Sequence, residues 1–187
     1  MTSILEVEQL DTLSSNASST ITIGGTNATT LDLGSNITGG SITMLPGFYA
    51  KASSNQTSAA SNYVNVVLDT EIYDSHNAFD NTTNYRFTVP SGQAGKYFFF
   101  SQVNAGGAIQ TNDYVFSLIY KNGSELNNTR SLESCESNGR ITSVNSTIVD
   151  DASVGDYYEL YFYTDLRSMT MVAQYSIYFG AYRLIGA

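Results

Sequence analysis

Residues 78–103 read AFDNTTNYRFTVPSGQAGKYFFFSQV: an asparagine-rich turn, a short strand, a Pro/Gly break, then a strand with four aromatic residues in succession at 97–100. A strand in a two-layer sandwich sends alternate side chains to the core and to water. Consecutive aromatics therefore demand two apolar environments. Tyr97, Phe99 and Val103 share one face, and Phe98 and Phe100 share the other. Two later segments repeat the pattern. In 155–163, Tyr158, Leu160 and Phe162 oppose Tyr157, Tyr161 and Tyr163; in 174–184, Tyr175, Ile177 and Phe179 oppose Tyr178 and Tyr182. Fourteen Tyr and nine Phe exceed what one core of this size absorbs. Exposed apolar patches usually mark an interface, and Tyr suits one because it joins a large apolar body to a polar tip. Phe98, Phe100, Tyr157, Tyr161, Tyr163, Tyr178 and Tyr182 are thus the candidate interface residues between copies of the chain.

At 187 residues the chain has room for one domain and a small extra segment. From residue 45 onward the pattern is all β, with strands expected near 46–52, 62–69, 84–89, 95–103, 113–121, 139–149, 155–164 and 174–184. Turn chemistry separates them, as at Lys121-Asn122-Gly123 and Asn104-Ala105-Gly106-Gly107. Eight or more short strands suit a two-sheet jelly roll. Residues 1–44 read differently. The pairs Ile21/Ile23, Leu31/Leu33 and Ile42/Met44 sit in TITIGG, TLDLGS and SITMLP, as three short strands ending in Gly or Pro. Each apolar side chain contributes roughly 1.5–3 kcal/mol on burial, against about 1–2 kcal/mol per residue of ordered backbone, so this segment needs partner surface. Three copies wrapped as a β-prism would supply it; a flexible Ser/Thr linker is the alternative.

Composition narrows the function. Charged residues make up only 13% and the net charge is -9, which argues against a nucleic-acid partner, since phosphate backbones are held by clustered Lys and Arg. The chain begins MTSILEVEQLDTL, without a basic start or long apolar run, so neither a secretory signal nor membrane insertion is expected. Eight Asn-X-Ser/Thr sequons occur, as chance predicts in a chain this rich in Asn, Ser and Thr. One His (His76) and one Cys (Cys135) are too few for a His-based metal site or a Cys-His nucleophile. Neither a catalytic set nor a cofactor is expected, and the chain does not read as an enzyme.

Together with DYVFSLIYKNG, VGDYYELYFY and YSIYFGAYRLI, the 78–103 segment resembles the globular heads of complement first-component q-type proteins, whose fold is shared with tumour necrosis factor. The lines PGFYAKASSNQ and LDTEIYDSHNAFDNTTNYRFT are most similar to a version found in structural proteins of phages and marine viruses. That resemblance implies an all-β jelly-roll head at 45–187 assembled as a homotrimer about the inner sheet, with Tyr158, Leu160 and Phe162 facing the core. It implies a virion protein on the particle surface: a fibre, tail-associated or capsid-surface protein, joined to other virion proteins through residues 1–44. A capsid decoration protein without receptor binding is the alternative, and a cellular ligand of the same fold a third. Some heads of this kind bind calcium at the apex, which makes Asp113, Asp150 and Asp151 calcium candidates. The loops 104–113 and 150–155 are expected together at the end away from the termini. Asn104, Gln110, Asn112, Asp113, Asp150 and Asp151 there are the candidates for contact with a host glycan or protein.

Overall fold

The computed structural model describes residues 45–107, 109–135 and 139–184. The expected β repeats of 1–44 lie outside these residues. In chain order the strands are β1 (Gly47–Lys51), β2 (Gln56–Ser58), β3 (Asn62–Asn65), β4 (Thr70–Asp74), β5 (Phe79–Asp80), β6 (Arg86–Thr88), β7 (Gly95–Gly106), β8 (Tyr114–Lys121), β9 (Ser124–Glu125), β10 (Ser131–Ser134), β11 (Thr142–Ala152), β12 (Tyr157–Thr164), β13 (Met169–Met171) and β14 (Tyr178–Arg183). All pairings are antiparallel.

Two sheets face each other. In the first, β7 lies between β11 and β14, and β1 and then β4 extend the β14 side. Beyond β14, β13 pairs the last residues of β7, with β2 outside it. In the second sheet β12 is central, with β8 and then β10 on one side and β6 and β3 on the other. Alternation along β7 and β12 builds the core. Tyr97, Phe99, Val103 and Ala105 point inward from the first sheet, and Tyr158, Leu160 and Phe162 meet them from the second. Phe99 and Tyr158 stack at 4.1 Å between ring centres.

Three strand expectations are corrected. Residues 62–69 are not one strand: β3 ends at Asn65, and the side-chain amide of Gln56 both donates to the Val67 carbonyl and accepts from its N–H, at 2.8 Å each. With that peptide satisfied, Val66 and Leu68 drop fully into the core. Asp150 and Asp151 are not in a turn but within β11, opposite Tyr97 and Lys96. The last strand starts later than expected, after a 3-10 turn at Ala173–Tyr175, so Tyr175 leaves the face of Ile177 and Phe179 and is half exposed. The Asn122-Gly123 turn is as expected: both residues have positive φ, and they join β8 to β9 as a two-residue hairpin.

The asparagine-rich turn is organised by Asp80. Its carboxylate accepts from the backbone N–H groups of Thr82, Thr83 and Asn84, from the Thr82 hydroxyl and from the Asn84 amide. The Thr83 and Thr82 amides lead in holding its pKa well below the usual carboxylate range. A depressed carboxylate contributes stability that is present above its unfolded pKa of about 3.9 and lost as pH falls through the folded value. Asp80→Asn should therefore lower stability most near neutrality, with the gap to wild type narrowing below about pH 4. Urea denaturation at pH 7 and pH 3 checks this; an equal gap at both pH values would contradict it.

Candidate functional site

The seven aromatics expected at one interface fall on two opposite faces. Phe98, Phe100, Tyr178 and Tyr182 do come together, on the outer face of the first sheet, where Tyr49 and Tyr73 join them. The register explains the cluster: Gly180 of β14 lies between Phe100 of β7 and Tyr49 of β1. Without a side chain at 180, the Phe100 ring lies over its backbone, and a Cβ there would collide with that ring. Phe100 stacks on Tyr182 at 5.7 Å and on Phe98 at 5.9 Å; Tyr49 lies 5.5 Å from Tyr178 and Tyr73 6.0 Å from Tyr182. Phe98 and Tyr182, with Val149 beside them on β11, remain substantially exposed.

Tyr157, Tyr161 and Tyr163 lie on the outer face of the second sheet, where they pack on other side chains of that sheet. Tyr161 stacks on Tyr120 at 3.9 Å and Tyr163 on Phe116 at 4.4 Å, with Tyr63 4.8 Å from Tyr163. The Arg130 guanidinium covers Phe116 at 4.5 Å while donating to Glu125 and Tyr63. Arg86 similarly covers Tyr157 at 4.3 Å. Beneath this cluster Phe116 and Leu118 are buried. The face is a small second core, so Tyr161 cannot line the same surface as Phe100 and Tyr178.

The expected recognition residues are also divided. The chain enters at Leu45 and the described residues end at Leu184 on one end of the sandwich, where the Arg183 N–H meets the Pro46 carbonyl and the Leu184 N–H the Lys96 carbonyl. Asp150 and Asp151 lie at this same end. Asn104 is seven residues further along β7 than Tyr97, the partner of Asp150, a span of about 23 Å at ~3.3 Å per residue. Only the 104–113 side is distal. The antiparallel pairing of β7 with β11 forces this separation, so Asp113 cannot share a cation with Asp150 and Asp151.

Several of these side chains are already engaged. Asp113 is fully buried, accepting from the Arg167 guanidinium at 2.7 Å and the Gln110 N–H at 2.8 Å. Asp150 faces inward and accepts from Lys121 at 2.8 Å and from the Tyr158 hydroxyl at 2.6 Å. Burial and that carboxylate push the Tyr158 phenol far above its ordinary pKa. Burial opposes the charge on Lys121, but Asp150 and Asp156 outweigh it and hold its pKa above the usual value. Asp151 is exposed and paired only loosely, with Lys96 at 3.3 Å. Gln110 and Asn112 are exposed at the distal turn, Asn112 with φ 71. His76 contacts the Ser75 hydroxyl through Nδ1 in a half-buried bend. Cys135 is buried, which pushes its thiol pKa up and disfavours a nucleophilic thiolate.

A polar cleft at the distal end was not expected. It has a volume of about 630 Å³, within the range of small-ligand sites. One wall is 51–55, the KASSN of the PGFYAKASSNQ line, and the other is 173–176. The side-chain amide of Asn104 anchors the second wall, donating to the Tyr175 and Ser176 carbonyls at 2.8 Å each, and Gln102 adds weaker bonds to both. Asn55 ties the walls together, accepting from the Ala173 N–H at 2.9 Å. The sequence carried the motif, but nothing in it linked residue 55 to residue 173.

No family model matches the sequence, and no curated protein matches it. Solved structures do. Eiger TNF from S. frugiperda superposes with a TM-score of 0.54 at 11% identity, covering 77% of this chain and 94% of that one. The globular domain of zebrafish complement 1qA protein gives 0.52 at 16%, covering 74% and 97%. Murine APRIL gives 0.54 at 13%, covering 75% and 99%. With two antiparallel sheets in this strand order and these structural neighbours, the described head has the jelly-roll fold of tumour necrosis factor and complement q domains.

Proposed function

We propose that the chain is a virion structural protein whose jelly-roll head assembles as a homotrimer, attaches to other virion proteins through residues 1–44 and presents its distal end to a host surface. The outer face of the first sheet carries this reading. Six aromatic side chains from four strands form one cluster there, without the arginine cover and buried residues that close the opposite face. Apolar surface of that kind is stabilised by contact with another chain. The assignment to a virus particle rests on the PGFYAKASSNQ and NYRFT lines. The distal end is the free one if residues 1–44, which precede Leu45, are held by the particle.

Sedimentation equilibrium at micromolar concentration should give three times the 20.3 kDa chain mass. Tyr182→Glu should shift the protein to monomer, because burying an unpaired carboxylate at an apolar contact is costly. Tyr114→Glu, at an exposed position of the second sheet, should leave the mass unchanged. A folded wild-type monomer would overturn the assembly. A chain that joins particles yet fails to bind host cells would be a decoration protein instead.

A further inference from the structure

We infer that the distal cleft between 51–55 and 173–176 is a saccharide site selective for a sugar bearing a carboxylate. The inference rests on the adhesion reading only for its biological purpose. The chemistry of the lining points to it. Lys51 is the one charged side chain in the cleft, and Ser54, Asn55, Thr70, Gln174 and Ser176 add neutral donors and acceptors. Hydroxyls and amides at several angles are what a polyhydroxy ring requires, since each can donate and accept.

The charge is the second observation. The protein carries a net -9, and its other lysines are neutralised: Lys96 pairs with Asp151, and Lys121 with Asp150 and Asp156. Among the described residues no carboxylate pairs with Lys51. Asp69 accepts from the Ser53 N–H and hydroxyl and from the Thr70 hydroxyl. Lys51 is exposed, and an ammonium without a carboxylate partner in a concave polar site favours an anionic group locally, against the acidic field of the rest of the chain. A single ammonium matches one carboxylate.

Preorganisation is the third. Both walls are fixed before any ligand arrives, the first through Ser53 to Asp69 and the second through Asn104 and Gln102, with Asn55 bridging them. A site that need not order itself keeps more of its binding energy. Asn104 thus acts as a positioning residue, holding the 173–176 wall from behind.

The test uses the full-length chain and ligand-observed NMR with N-acetylneuraminic acid, glucuronic acid, glucose and inorganic phosphate as probes. The acidic sugars should bind in the millimolar range, at least tenfold more tightly than glucose, and phosphate should compete weakly. Lys51→Gln should remove that preference, and Gln174→Ala should weaken both acidic sugars, with the melting temperature unchanged. Equal binding of glucose, phosphate competing as strongly as the acidic sugars, or no effect of Lys51→Gln would each overturn the assignment. Cell binding by wild type separates the two readings. Cells bound by wild type and Lys51→Gln alike would sink the cleft and leave adhesion standing, whereas acidic sugars bound without any cell binding would do the reverse.

Discussion

Truncating Phe99 to alanine is expected to destabilise the head by about 3–5 kcal/mol, the range for an aromatic removed from a packed core. Phe99 is wholly buried at the centre of the sandwich. Its ring stacks on Tyr158 at 4.1 Å and lies 6.0 Å from Phe179, 6.1 Å from Tyr97 and 6.3 Å from Phe87. These neighbours come from β6, β7, β12 and β14, so no single strand can shift to fill the gap. The adjacent Phe100→Ala makes the contrast, because that ring lies on the outer face. It should cost under about 1.5 kcal/mol of head stability while weakening assembly. Urea denaturation over a range of protein concentrations separates the two, since the association term depends on concentration. A loss below about 1 kcal/mol for Phe99→Ala would mean the core is not centred there.

Asp113→Ala should cost about 2–4 kcal/mol, toward the lower side of what breaking a buried ion pair costs because Arg167 is one-third exposed and regains water. The carboxylate holds Arg167 and the Gln110 N–H, and the Asp113 backbone carbonyl accepts from Cys135 at 2.7 Å. Losing it loosens the junction between the distal turn and the start of β8. A fall in melting temperature on the order of 10 °C follows from that free energy for a domain of this size. Gln110→Ala, exposed on the same turn, should change it by less than about 2 °C. If the Asp113 variant melts like wild type, the ion pair does not brace the turn. A combined alanine variant at 112, 113, 150 and 151 is for the same reason no clean probe of recognition, since it removes two structural carboxylates.

Much of the head was legible in the sequence. Alternation placed β7, β8 and β12 and separated Tyr97 and Phe99 from Phe98 and Phe100, because burial on one face of a strand leaves a period of two. The resemblance to complement q heads set Tyr158, Leu160 and Phe162 toward the core. Asn122-Gly123 announced its hairpin because few other pairs tolerate two positive φ values. The excess of aromatics was also visible, along with the need for a second apolar environment. Periodicity distinguishes the two faces of one strand but not which sheet the strand joins. Phe100 and Tyr161 therefore read alike, although one lies on an open aromatic face and the other in a second core closed by Arg130.

Tertiary structure alone decided what depends on residues distant in sequence. The antiparallel register of β7 against β11 sent Asp150 to the end opposite Asn104 and Asp113. Pairing with Arg167 and Lys121, 54 and 29 residues away, turned Asp113 and Asp150 from candidate ligands into internal braces. The cleft required 51–55 and 173–176 to meet, through the Asn55 bond to Ala173 118 residues on. Local sequence records the backbone preferences and the burial of each strand. The choice between an exposed polar residue and one already satisfied is set by its partner, and only the folded chain brings that partner within reach.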